Sequence, residues 1–154
     1  MKGISKFDTN NFNKIGIDPS KFDGYQILCL PENIESATTK DEIFEASHTV
    51  ILSKLLKSEG VKCADSFDLG IESKVLIRQS SDYWLGLVWI MENLVLPIFV
   101  VLISDKLISW KKKNSNVHIT LRLPDGTYLK YDGDPETLRQ RLLELVLPKE
   151  NEVP

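Results

Sequence analysis

The densest run of apolar positions lies between Trp84 and Ile103, where only Gly86, Glu92, Asn93 and Pro97 interrupt the large hydrophobic side chains. A segment apolar on every side reads as a helix enclosed by protein or by lipid. Pro97 is expected to kink it. Downstream the period changes. Val117, Ile119, Leu121 and Leu123 alternate with His118, Thr120 and Arg122, the pattern of a half-buried strand. Pro124-Asp125-Gly126 then supplies a turn, and Tyr128 to Tyr131 the returning strand of a hairpin. Asp134 followed by Pro135 opens a helix with Leu138, Leu142, Leu145 and Val146 on its apolar stripe, and Pro148 closes it.

The first half of the chain is less regular. Residues 1–23 are polar and turn-rich, which predicts an arm with at most one short element. Tyr25 to Leu30, closed by Pro31, suits a buried strand. Thr39 and Glu42 have capping-box spacing and predict a helix over 40–59. Ile43, Phe44, Val50, Ile51 and Leu55 would form its face, with Gly60 as the stop. Residues 61–82 fit two short strands or a strand and a helix. The expectation is an α+β protein. A polar arm (1–23) precedes a small α/β unit (24–82), a long apolar Pro-kinked helix (83–113), a β-hairpin plus helix (114–148) and a polar tail (149–154).

Composition narrows the function. At 154 residues, with 42% hydrophobic and 27% charged residues, the chain can bury an ordinary core without metal or disulfides. A net charge of -3 and the absence of a long basic stripe argue against nucleic acid as a partner. Cys29 and Cys63 lack CxxC spacing and read as reduced core thiols. The N-terminus has no apolar signal core, so the chain is expected in the cytoplasm.

The apolar segment leaves two environments open. Twenty helical residues would span a hydrocarbon core of ~30 Å. Trp84, Trp89 and Trp110, with Lys111, Lys112 and Lys113, resemble an interfacial belt and a cytoplasmic flank. Glu92 and Asn93 oppose a simple span, because each would need a polar partner in lipid or in a protein core. The lysines also place the C-terminal side in the cytoplasm, which would require the N-terminal residues to cross the membrane. A soluble core with an oligomer contact and an in-plane or re-entrant membrane segment both satisfy these constraints. In either case Trp84, Trp89, Glu92, Asn93, Pro97, Trp110 and Lys111 to Lys113 are the candidate interaction residues.

The pieces LISWKKK, VHITLRLPDGTYLKY and DPETLRQRLLELV resemble, in that order, the C-terminal part of the effector-associated constant component family of bacterial conflict systems. The resemblance covers about 60 residues. It implies a non-enzymatic accessory protein of bacterial defence, working beside a separate effector.

No catalytic constellation is legible. Glu45 and His48 stand at the spacing of two helical metal ligands, but no third ligand follows and a solvated pair is the simpler reading. Asp132 and Asp134 lack the ligand spacing of a calcium loop and read as a turn and an N-cap. Ser80, Ser81 and His48 have no nucleophile elbow, and no phosphate-binding glycine loop occurs. Asp65, Asp68 and Glu72 are the weak remaining carboxylates. The sequence therefore predicts no cofactor, no metal and no catalytic residue. It predicts an interaction protein whose partner is another protein or a second copy, in the cytoplasm or at the cytoplasmic membrane face. Membrane association through residues 84–110 is the first alternative, and a small enzyme without a recognisable motif the second.

Overall fold

The structure is a computed structural model and describes residues 9–147. The first eight residues, Pro148 and the 149–154 tail lie outside the described residues. The chain begins with α1 (Thr9–Lys14) and a 3-10 turn (Pro19–Phe22), followed by β1 (Ile27–Leu30), β2 (Phe44–Ala46) and α2 (Thr49–Ser58). Next come β3 (Cys63–Ala64), α3 (Ser66–Leu69), β4 (Lys74–Leu76), β5 (Tyr83–Ile90) and α4 (Leu96–Lys112). The hairpin β6 (Val117–Arg122) and β7 (Tyr128–Gly133) leads to α5 (Pro135–Val146). Five strands form one mixed sheet in the order β3-β1-β5-β6-β7, and β2 and β4 form a separate parallel ribbon. The α+β class holds, with the long helix and the C-terminal hairpin and helix in place.

The apolar segment is not one helix. Its first third is β5, the central strand, paired antiparallel to β1 and parallel to β6. Leu85, Val88 and Ile90 join a core with Leu52 and Leu56 of α2, Phe99 and Ile103 of α4, and Leu138 and Leu142 of α5. Leu87 and Trp89 join a second core with Phe12, Ile15, Phe22 and Ile34. A strand buried on both faces loses its alternation and reads as a continuous apolar run, which periodicity cannot separate from a buried helix. Glu92 and Asn93 fall in the connection to α4 and are exposed, so they need no buried partner. Pro97 lies in the first turn of α4, where its missing N–H costs no helical bond, and not in the helix interior.

Two further expectations are corrected. Residues 40–59 do not form one helix: a 3-10 turn (Lys40–Glu42), β2 and α2 share them. Glu42 turns back to accept from the Thr38 N–H and hydroxyl instead of capping a helix. Val50 and Ile51 are exposed, while Leu52 and Leu56 face the core. The N-terminal arm is a structural cover. Phe12 packs edge-on to Phe22 at 5.3 Å and Phe22 edge-on to Trp89 at 6.0 Å.

One backbone irregularity sets up the open face of the sheet. The β5–β6 register passes from Trp84↔His118 to Gly86↔Ile119, leaving Leu85 as an extra residue. Such a bulge resets which face each side chain takes: Leu85 enters the helix-side core, and Trp84 turns to the other face beside His118. Gly86 has φ +75°, and a Cβ there would meet Thr49 Oγ1 at 3.0 Å and the Leu30 carbonyl oxygen at 3.1 Å. Only glycine fits this approach.

Adjacent residues of α4 test this packing. Val100 is 1% exposed and Val101 65% exposed. Val100→Lys buries an unpaired ammonium and should cost about 4 kcal/mol or more, enough to unfold a domain of ordinary stability. Val101→Lys should change stability by less than about 0.5 kcal/mol. Urea unfolding of both variants checks the contrast; equal losses would mean that α4 is not oriented as described.

Candidate functional site

The arm and the loops cover the second face of the sheet over β1 and β5 but leave it open over β6 and β7. There a groove of about 360 Å³ runs between the 31–37 loop and the strands, lined by Glu32, Trp84, His118, Thr120, Tyr128 and Lys130 among others. Strand alternation places His118, Thr120 and Arg122 of β6 and Tyr128, Lys130 and Asp132 of β7 on one face, since Tyr128 pairs with Arg122 and Asp132 with His118.

Trp84 is the centre of this site. The His118 ring stacks on it at 3.6 Å and 6°, and the Arg78 guanidinium lies 3.8 Å from the indole centroid. Two groups that close to one ring must occupy opposite faces, so the indole is sandwiched. Arg78 is held by two bonds to Glu32, at 3.1 and 2.7 Å. Arg122 pairs with Glu35 through Nε and Nη2 and lies over the Tyr128 ring at 4.9 Å. These two arginine–carboxylate pairs pin the loop that forms one wall of the groove.

His118 is clamped at both ring nitrogens. Nδ1 lies 2.6 Å from Asp132 Oδ1, and Nε2 lies 2.9 Å from Asp82 Oδ2. The two carboxylates fix the orientation of the ring on the indole face. The His118 bond holds the Asp82 carboxyl below its usual range, and the Asn116 N–H to Asp82 Oδ1 adds to this. Asp82's contribution to stability is therefore present above the ordinary carboxylate value and lost as pH falls through the lower folded value.

The arrangement holds and orients these groups through ion pairs and stacking. Among the described residues no serine or cysteine is bonded to His118, and its two ring nitrogens face the Asp82 and Asp132 carboxylates. Among the described residues no group of three histidines, cysteines or carboxylates is placed to hold a metal. The Glu45/His48 pair is not helical: Glu45 lies buried on β2, where desolvation pushes its carboxyl up, and His48 precedes α2. Cys29 and Cys63 are buried and reduced, with Sγ atoms 3.8 Å apart. The hydrogen bond with Cys63 and complete burial raise the Cys29 thiol well above its ordinary range, making it a packing group rather than a nucleophile.

Of the predicted interaction residues, the structure brings Trp84 alone to the groove. Trp89 is buried in the core beneath the arm, 1% exposed. Trp110 is stacked on Tyr83 at 4.1 Å. Pro97, Glu92 and Asn93 are exposed at the start of α4 and Lys111 to Lys113 at its end, with Lys111 3.8 Å from Glu136 and Lys113 donating to the Tyr83 hydroxyl. Asp134 caps α5 through the Thr137 N–H, but Asp132 is a strand residue bonded to His118 and not part of a turn. Sequence reasoning did not select Arg78, Asp82, His118, Arg122 or Tyr128. The alternation of VHITLR carried the signal for two of them; partners 36 and 87 positions away in sequence left none.

His48 ties the site to α2. Its Nδ1 accepts the Trp84 backbone N–H at 3.0 Å, and burial holds its pKa below the ordinary imidazole value of 6.5. Protonation at Nδ1 would break that bond. The unfolded chain takes up this proton first, so stability should be full above pH 6.5 and decline as pH falls toward the depressed folded value. His48→Gln should flatten the change in unfolding free energy between about pH 7 and pH 5; an unaltered slope would exclude His48 as its source.

Compared with family models, with characterised proteins and with solved structures, the chain gives no match.

Proposed function

We propose that the chain is a non-enzymatic interaction protein that binds a partner polypeptide in the groove above β6 and β7. The observation that carries this reading is the state of the groove's charged groups. Arg78, Arg122 and His118 are each bonded to carboxylates, which builds a rigid polar surface suited to recognition. Lys130 is exposed and takes part in no ion pair among the described residues, and Thr120 and Tyr128 line the same groove. Those donors suit a segment with an acidic side chain, and the pinned loop spares the ordering cost of closing on it. An accessory role beside a separate effector, which the resemblance of the C-terminal segment implies, is a role of this kind, in the cytoplasm or at the cytoplasmic membrane face.

The test is recovery of a partner with wild-type protein, followed by direct binding of the two purified proteins. Trp84→Ala removes the centre of the stack, and Lys130→Glu reverses the free charge. Each should weaken binding by about 1–3 kcal/mol, roughly a five- to 150-fold rise in Kd. A partner held equally well by both variants would place recognition elsewhere, and substrate turnover abolished by a single groove substitution would replace the reading with an enzyme.

One observation favours a second reading, attachment to a membrane surface. The stretch Asn93–Lys112 is apolar and long enough to cross a membrane by length and composition. Six of its side chains, among them Phe99, Ile103 and Trp110, are buried in the core with the sheet and α5. Leu94, Ile98, Val101 and Ile108 remain exposed, with Lys106, Lys111 and Lys112 on the same helix. On this reading the protein co-floats with anionic phospholipid vesicles, and Val101→Glu releases it. Failure of wild-type protein to float would exclude it.

A further inference from the structure

Strand edges are where one chain adds to another through the backbone, and proteins usually guard them. β3, at one end of the main sheet, is only two residues long. β7, at the other end, carries the exposed charges Lys130 and Asp132. The outer side of β2 is bonded to a loop, with Glu32 N–H donating to the Phe44 carbonyl and Phe44 N–H donating to Asn33 Oδ1. Among the described residues β4 has no such protection. It is exposed along its length, and Val75, Leu76 and the following Ile77 are 53%, 38% and 80% exposed.

The backbone of β4 points the same way. Lys74 N–H donates to the Ile43 carbonyl, and Lys74 pairs with Phe44 in a parallel ladder. In such a ladder alternate residues bond the same neighbour, so Lys74 and Leu76 turn their amides to β2 while Val75 and Ile77 turn theirs away. The outward groups therefore belong to two exposed β-branched residues, and a two-stranded ribbon gains from a third strand.

We propose that β4 is a docking edge that takes an extended segment of a different protein as a third strand. That segment is apolar at its centre and acidic at the end that meets Lys74. The charge follows from the residues at either end of the edge. Lys74 is exposed and has no ion-pair partner among the described residues, and Arg78 closes the other end with its charge already committed to Glu32. A second copy fits poorly. The antiparallel register that sets Val75 against Ile77 and Leu76 against Leu76 also sets Lys74 against Arg78. Centring on Val75 instead avoids this but leaves Ile77 opposite Ser73 and Leu76 opposite Lys74. This edge is distinct from the groove, and the inference does not depend on what the groove binds.

The experiment uses the full chain and two blocked seven-residue peptides, each with a Val-Thr-Val-Thr-Val centre, one with glutamate at both ends and one with lysine. Backbone amide shifts and hydrogen exchange are followed by NMR. The glutamate peptide should shift and protect the Val75 and Ile77 amides, and should bind about tenfold more tightly than the lysine peptide. Val75→Pro removes an N–H that the fold does not use, so it should abolish binding while the remaining amide spectrum stays dispersed. If that variant misfolds, Ile77→Asp, at an 80% exposed position, serves in its place and should weaken the glutamate peptide at least tenfold. The proposal fails if neither peptide at about 1 mM perturbs these amides, if both bind equally, or if the shifts cluster on α4 or β7. It also fails if Val75 and Ile77 become protected with rising protein concentration and no peptide, since the occupant would then be a second copy.

Discussion

β5 must be dry on both faces, and the rest of the fold is arranged around that requirement. Leaving Leu87 and Trp89 on one face, or Leu85, Val88 and Ile90 on the other, in water would forgo on the order of 2 kcal/mol for each large side chain. The C-terminal part of the chain supplies most of one cover, with α4 and α5 packed side by side, and α2 completes it through Leu52 and Leu56. The N-terminal part supplies the other with less regular material: α1, a 3-10 turn and the loops that carry Ile34 and Ile43. That division explains why a polar, turn-rich arm still contributes Phe12, Ile15 and Phe22 as fully buried residues.

The groove exists because the second cover is too small. It spans β1 and β5 and stops short of β6 and β7, whose side chains on that face are polar. The Leu85 bulge then matters twice: it keeps Leu85 in the helix-side core and delivers Trp84 to the uncovered face. Arg78 and Arg122 reach back to Glu32 and Glu35, so the edge of the cover is held by charge where apolar contact ends. Partly exposed pairs of this kind contribute little to global stability. Their effect is on shape, since they hold one wall of the groove in a single position.

The same economy leaves other surfaces unfinished. The outer edge of β4 has no strand beside it among the described residues, and the outer face of α4 keeps Ile98 and Val101 in water. Arg78, two residues beyond β4, links that edge to the Trp84 stack, so a strand seated on β4 would end beside the groove.

Local chemistry was legible in the sequence wherever a few neighbouring residues decide the conformation. The alternation of VHITLR, the Pro-Asp-Gly turn, Asp134 ahead of Pro135, and the burial of both cysteines needed no partner to be read. The α+β class followed from them. The tertiary structure alone decided three things. It split the apolar run into a central strand and a helix, because burial on two faces erases the period that distinguishes them. It exposed Glu92 and Asn93 by placing them at that junction. It also assembled the site, because Trp84, His118 and Arg122 acquire their meaning from Arg78, Asp82, Glu32 and Glu35, which only the folded chain brings within hydrogen-bond reach.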